Sequence, residues 1–332
     1  MSEILRAAKD DGVPDAISRS TFWRDRKQTA RTETPYGPLI QIVSLRLNTD
    51  VMHDIGVIAP MPLLWALARE DNFARLLLRT HQQTPCTLDA AWTIVLYCDE
   101  VSPSNPLASG PDHRKVQAIY WSIAEFGQGV LCSEYVWFVL TAVRSEICAI
   151  LDGGVSNVIR ECLERVFFSS SGHNVETAGM IQTLRVGGVD FSVLIRLQIG
   201  TIVADELALK DILCFKGHAG LKPCCCCSRL VLHRSALADS DRRLLTSTSL
   251  DFTNMTQHTN ASIIAILVRL RDVRGTIAKS KYTDLESMLG WNFNPNMMLM
   301  STCTVMKPAE WIMYDWMHVY IVKGIFNSEV GR

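Results

Sequence analysis

The spacing of apolar positions divides the chain into helical and extended stretches. Residues 60–92 carry Leu63, Leu64, Leu67, Phe73, Leu76, Leu77 and Leu78 at helical intervals, with Pro60 and Pro62 near the start where a helix tolerates proline. Beyond residue 92 the period changes. Thr93 to Cys98, Val116 to Phe126 and Tyr135 to Val143 are runs rich in β-branched and aromatic residues, parted by turn-forming segments such as Ser102-Pro103-Ser104-Asn105-Pro106, and they predict three successive strands. Val155 to Phe168 then predicts a helix. Phe191 to Ala204 predicts another strand, in which Gly200 marks a bulge or a close approach of backbones. Downstream, a helix is expected around Ala261 to Val273 and a final one from Lys307 to Val330. The order of three strands, a helix and a further strand predicts an α/β fold built on a mixed sheet with helices against it.

The segment before residue 60 reads differently. Arg19, Arg24, Arg26, Lys27 and Arg31 are interleaved with Phe22 and Trp23, and two short helical patterns flank Asp11-Gly12-Val13-Pro14. That is the outline of a helix-turn-helix whose second helix is basic, although a basic amphipathic helix is also a common solvated face. The organisation expected is therefore an N-terminal arm over residues 1–59, the first part of an α/β core over 60–215, and a cysteine-containing, helical region over 216–332.

Composition narrows the class. Of 332 residues, 48% are hydrophobic and 20% charged, which fits a packed globular protein and excludes a disordered one. The 33 Lys and Arg balance 34 Asp and Glu, so any binding of nucleic acid has to come from local patches. The eleven cysteines are odd in number and four stand together at 224–227, a pattern of a reducing compartment with a metal site more than of a disulfide scaffold. The N-terminal residues lack an apolar signal core, and the most apolar stretch, Val130 to Leu151, is broken by Glu134, Arg144 and Glu146, so no membrane partner is expected.

Three constellations carry chemistry. Asp99 follows the apolar run Thr93 to Cys98 and Asp205 follows Ile202-Val203-Ala204, so both carboxylates are expected at strand ends. Two such residues on neighbouring strands can share a hard divalent cation such as Mg²⁺ or Mn²⁺, whereas each alone is an ordinary turn residue or helix N-cap. Cys224 and Cys227 form a CxxC. A tetrahedral Zn²⁺ needs two further ligands, for which His218, His233 and His318 are the candidates; a redox pair or inert thiols are the alternatives. Asp315 and His318 stand three apart on the expected C-terminal helix, where they would share a face, as metal ligands or as a plain surface pair. Phosphate-binding loops, dinucleotide fingerprints, HExxH and GxSxG are missing from the sequence.

In their order these landmarks resemble the transposases of eukaryotic cut-and-paste DNA transposons, most closely the CACTA type. Tyr97-Cys98-Asp99, Val203-Ala204-Asp205, the glycine-bearing stretch Lys216 to Cys227 ending in CxxC, and the DxxH of Asp315 to His318 are similar to that group's motifs, over roughly residues 90–330. The resemblance implies a ribonuclease H-like core, with Asp99 and Asp205 as catalytic acids holding Mg²⁺ or Mn²⁺ for strand cleavage by water and strand transfer by a 3′-hydroxyl. It implies Cys224 and Cys227 as a zinc feature, a nuclear protein, and transposon-end DNA as partner through Arg19, Arg24, Arg26, Lys27 and Arg31, with assembly into a homo-oligomer left open. The family's third acid, usually a Glu, lies well downstream of DxxH, and here 14 residues follow His318; Glu329 is too near to match. The expectation is thus a transposase-like chain with two of three acids, truncated, decayed to an inactive relic or repurposed, with a non-enzymatic zinc-containing DNA- or protein-binding module as the alternative.

Overall fold

The computed structural model describes residues 32–102, 115–170, 173–233, 241, 243–249, 253 and 255–315. The basic arm residues Arg19, Arg24, Arg26, Lys27 and Arg31, and also His318 and Glu329, lie outside the described residues.

A small hairpin, β1 (Glu33–Thr34) and β2 (Gly37–Pro38), leads into a longer antiparallel one, β3 (Ile40–Arg46) and β4 (Met52–Ile58). Its Val43, Leu45, Ile55 and Val57 join the main core, so this part of the expected arm is built into the body of the protein. The leucine-rich stretch that follows forms two helices, α1 (Pro60–Leu67) and α2 (Asp71–Gln83). Proline in the first turn of α1 costs no helical hydrogen bond.

The centre is a five-stranded mixed sheet. Its strands are β5 (Trp92–Val101), β6 (Val116–Ile123), β7 (Phe138–Arg144), β10 (Leu197–Ala204) and β13 (Ile312–Tyr314), in the spatial order β13-β10-β5-β6-β7. β5, β6 and β7 pair antiparallel, as the three β-branched runs predict, while β10 lies parallel to β5 and β13 parallel to β10. After β7 come the short helix α4 (Ser145–Ile150) and α5 (Gly154–Cys162), which continues into a wide turn over Leu163–Phe167; a single helical turn, α3 (Gln128–Leu131), lies between β6 and β7. Trp92, Ile94, Leu96 and Cys98 alternate with half-buried neighbours along β5 and turn to the core. On that face Trp121 meets Phe138 and, from the end of α5, Phe167 at ring distances of 5.0 and 5.7 Å.

Two expectations need correction. Phe191 to Ala204 is two strands: β9 (Val189–Ile195) pairs with β8 (Met180–Val186), and the chain turns at Arg196 before β10. Arg196 is held there by its backbone N–H donating to Cys86 Sγ at 3.1 Å, its carbonyl accepting from Trp92 N at 2.8 Å, and its Nε donating to the Glu176 carbonyl at 2.6 Å. The expected helix from Lys307 is, in its described part, one turn, α9 (Pro308–Trp311), followed by β13. Pairing of Ile312-Met313-Tyr314 with β10 outweighs the local helical pattern.

After β10, α6 (Glu206–Leu213) packs back on α5, whose Ser156 hydroxyl donates to the Ile212 carbonyl at 2.5 Å. The cysteine segment leads through β11 (Leu230–Val231) and its parallel partner β12 (Leu245–Thr246) to two helices, α7 (Asn260–Val273) and α8 (Lys279–Leu289). A capping box opens α7: Thr259 Oγ1 accepts from Ser262 N and Ser262 Oγ accepts from Thr259 N. Trp291, Met297, Met298 and Leu299 return to the common core.

Candidate functional site

The parallel pairing of three strands sets their ends in register. Cys98 stands opposite Ala204, and Ala204 opposite Tyr314, so the residues that follow, Asp99, Asp205 and Asp315, form one row across β5, β10 and β13. The backbone stays extended to Asp205, and Asp315 N donates to the Ala204 carbonyl at 2.9 Å, which continues the ladder to the end of the row. Neighbouring strands lie roughly 4.8 Å apart. Cys98 and Ala204 are buried, and side chains alternate along a strand, so the three acids leave the sheet by the opposite face, as does Tyr97. The structure therefore brings Asp99 and Asp205 side by side at the carboxyl ends of adjacent parallel strands, and adds Asp315 beyond them.

Each carboxylate is fixed by local bonds. Asp205 is the N-cap of α6: its Oδ1 accepts from Ala208 N at 2.6 Å, so the strand-to-helix turn that ends β10 also orients the acid. Asp99 Oδ1 accepts from Glu100 N at 2.8 Å, and Tyr97 OH donates to Asp99 Oδ2 at 3.4 Å. Burial, and then the charges of Asp99, Asp315 and Asp205, push the Tyr97 phenol upward and keep it protonated as a donor. Glu100 belongs to the other face, where Lys115 Nζ at 3.0 Å and Ser145 Oγ at 2.9 Å hold it.

Among the described residues no group of three or more His, Cys, Asp or Glu side chains is placed to hold a metal ion.

The cysteine cluster is a separate feature. Cys225 and Cys227 are buried, while Cys224 and Cys226 are half-buried. Cys225 Sγ lies 3.9 Å from Cys226 Sγ and 3.1 Å from Tyr314 OH, which ties the cluster to the strand that carries Asp315. Contact with Cys226 and burial push the Cys224 thiol up. Burial and then Cys224 push Cys227 to about 12. Cys224 lines a groove of about 570 Å³ that also takes in His218, His233, Glu206 and Tyr314. His218 Nε2 is 3.3 Å from Glu206 Oε1. The groove thus gathers one thiol of the CxxC and two of the imidazoles named from sequence.

Asp315 directly follows a strand, whereas the sequence pattern predicts a helix there, and its pairing with His318 falls outside the described residues. Sequence reading missed the acid's true setting although a signal was present. Ile312-Met313-Tyr314 before Asp315 is an apolar run ending in an acid, the same signature as those before Asp99 and Asp205. Tyr97 was also missed, and its position two residues before Asp99 was enough to place it on the same face.

No family model matches the chain, and no curated protein matches it. The class of protein that the fold and site define is an α/β protein with a five-stranded mixed sheet, flanked by helices and carrying a row of acids at its strand ends.

Proposed function

We propose that this chain is a DNA transposase-like protein whose chemistry is metal-dependent cleavage and transfer of phosphodiester bonds, with Asp99 and Asp205 as the acids. The observation that carries the reading is their register: the two carboxylates stand next to each other on adjacent parallel strands and leave by the same face. The strand order supports it as well. Three antiparallel strands, then α5, then β10 and β13 parallel on the other side of β5 is the arrangement expected of a ribonuclease H-like core.

In this reading Asp99 and Asp205 supply the negative charge that holds one or two Mg²⁺ or Mn²⁺ ions. Such ions, when bound with DNA, activate the attacking oxygen and stabilise the leaving one in an in-line displacement. Tyr97 keeps the Asp99 carboxylate oriented through its hydroxyl, and the α6 cap keeps Asp205 at the strand end. Asp315 extends the acidic row toward the same face and is the third acid present. Transposon-end DNA is the partner, with the basic arm of Arg19, Arg24, Arg26, Lys27 and Arg31 as its first contact and the nucleus as the place of action.

A plasmid-nicking assay with Mg²⁺ or Mn²⁺ tests this. Wild-type protein is expected to nick DNA, and D99N and D205N each to lose at least 100-fold in rate, on the order expected where charge at the reacting centre is removed, while retaining DNA binding. Equal nicking by wild type and both variants contradicts the reading.

A second reading, a zinc-containing binding module, draws on the groove that Cys224, His218 and His233 line together, although among the described residues no such group is placed to hold a metal ion. It requires stoichiometric zinc that is lost on Cys227→Ser.

A further inference from the structure

The chain as a whole is nearly neutral, yet the segment that joins α7 to α8 is rich in cations. Where α7 ends and α8 begins, Arg269, Arg271, Arg274, Lys279 and Lys281 are all exposed. Between residues 269 and 284 the sequence sets only Asp272 and Asp284 against these five cations. Arg271 Nε meets Asp272 Oδ1 at 2.9 Å, and the Arg274 guanidinium lies 5.8 Å from the centre of the Phe293 ring. Arg269, Lys279 and Lys281 form no ion pair among the described residues.

The helices themselves do not explain the lysines. Cations at the C-terminal end of α7 suit its dipole, but Lys279 and Lys281 sit in the first turn of α8, which has no acidic residue and whose N-cap, Ala278, provides no capping side chain. Each lysine there opposes a helix dipole, so local stability is not what it serves. The tip between the helices is open: Gly275 turns at φ +79°, and nothing lies within 4 Å of where its side chain would be.

The other end of α7 is anchored. Asn260 Nδ2 donates to Glu310 Oε1 at 2.7 Å, and Asn260 Oδ1 accepts from Ala309 N at 2.8 Å, which fixes the start of the helix to α9, just before the strand leading to Asp315. The 14 residues of α7 then carry the cationic tip about 21 Å from that anchor, at 1.5 Å per residue. The buried Ile263, Leu267 and Leu270 hold the helix to the body along its length.

We propose that the α7–α8 tip is a docking surface for the phosphate backbone of duplex DNA, rigidly spaced from the acidic row. The proposal rests on the DNA-acting reading above and adds to it a second contact independent of the N-terminal arm. Phosphate contacts fix the position of a duplex without reading its sequence, which matches an array dominated by arginines and lysines, with Tyr282 half-buried beside them.

The test is fluorescence anisotropy of the full chain with a labelled duplex over a range of salt. For R269Q/R271Q/K279Q/K281Q, affinity is expected to fall at least 30-fold at 0.15 M salt. The slope of log K against log [salt] is expected to shrink by about 3 to 4, because every phosphate that the protein ceases to neutralise lowers it by about 0.9. R185Q, at an exposed arginine on the β8–β9 hairpin, serves as the control and keeps wild-type affinity. Circular dichroism checks that the variant, altered only at exposed positions, remains folded. If wild type binds the duplex and the folded variant binds it with the same affinity and slope, the docking surface is refuted and the DNA-acting reading stands. If wild type binds no duplex, or binds only poly-glutamate through these residues, both the surface and the DNA partner are refuted.

Discussion

Asp205 serves two ends with one side chain. Its Oδ1 caps α6 while the sheet register sets it beside Asp99. Asparagine at this position keeps the cap and removes the charge, which makes D205N the variant that separates chemistry from folding; alanine removes the cap too, at a cost of about 1 kcal/mol. His258 shows the reverse case, a buried titratable group with a structural part. Its Nδ1 is 3.0 Å from Ser262 Oγ, and burial, then the charge of Lys222, holds its pKa down to about 4. The folded protein therefore resists protonating this ring, whereas the unfolded chain takes up a proton near pH 6.5. Stability is complete above that value and falls as the pH drops from about 6.5 toward 4, by up to about 3 kcal/mol. Urea denaturation at pH 7 and pH 5 is expected to show this loss in wild type and a smaller one in H258Q. An equal loss in both would place the acid sensitivity elsewhere.

Among the elements, β10 decides the geometry. Its register to β5 shifts between Ile199 and Thr201, and a side chain at Gly200 would collide with Thr93 Cγ2. Thr93 is β-branched on a central strand and has little room to turn away. G200A is expected to destabilise the protein by about 1–3 kcal/mol, as overpacking does, and to weaken metal binding because the row of acids lies downstream of the bulge. Chemical denaturation together with Mn²⁺ titration checks both effects; an unchanged midpoint would contradict the close approach. This glycine was legible in the sequence as an interruption of an apolar run, as were β5, β6, β7, α5 and α7. The β8–β9 hairpin was not, because Phe191 to Ala204 is mostly apolar and only Arg196 betrays the turn. Nor was β13: three residues are too few to establish a period, and their extended form comes from pairing with β10.

Across the whole molecule, what the sequence withheld was register. Apolar runs ending in Asp99 and Asp205 indicate two strand ends, but nothing in a linear pattern states that the strands are neighbours, that they run parallel, or that Asp315 closes the row. Those facts arise from pairings between segments more than a hundred residues apart. The expected arm divided in a similar way, with residues 40–58 becoming a hairpin in the core because Val43, Leu45, Ile55 and Val57 alternate with more polar neighbours. Among the described residues no helix is long and apolar enough to cross a membrane. The central claim, that acids remote in the chain meet to bind a divalent ion, is open to direct measurement. Titration of the full chain with Mn²⁺, followed by the loss of the free-ion paramagnetic resonance signal in the presence of a duplex oligonucleotide, should show binding by wild type and at least a tenfold weaker isotherm for both D99N and D205N. Isotherms that coincide for all three proteins would contradict it.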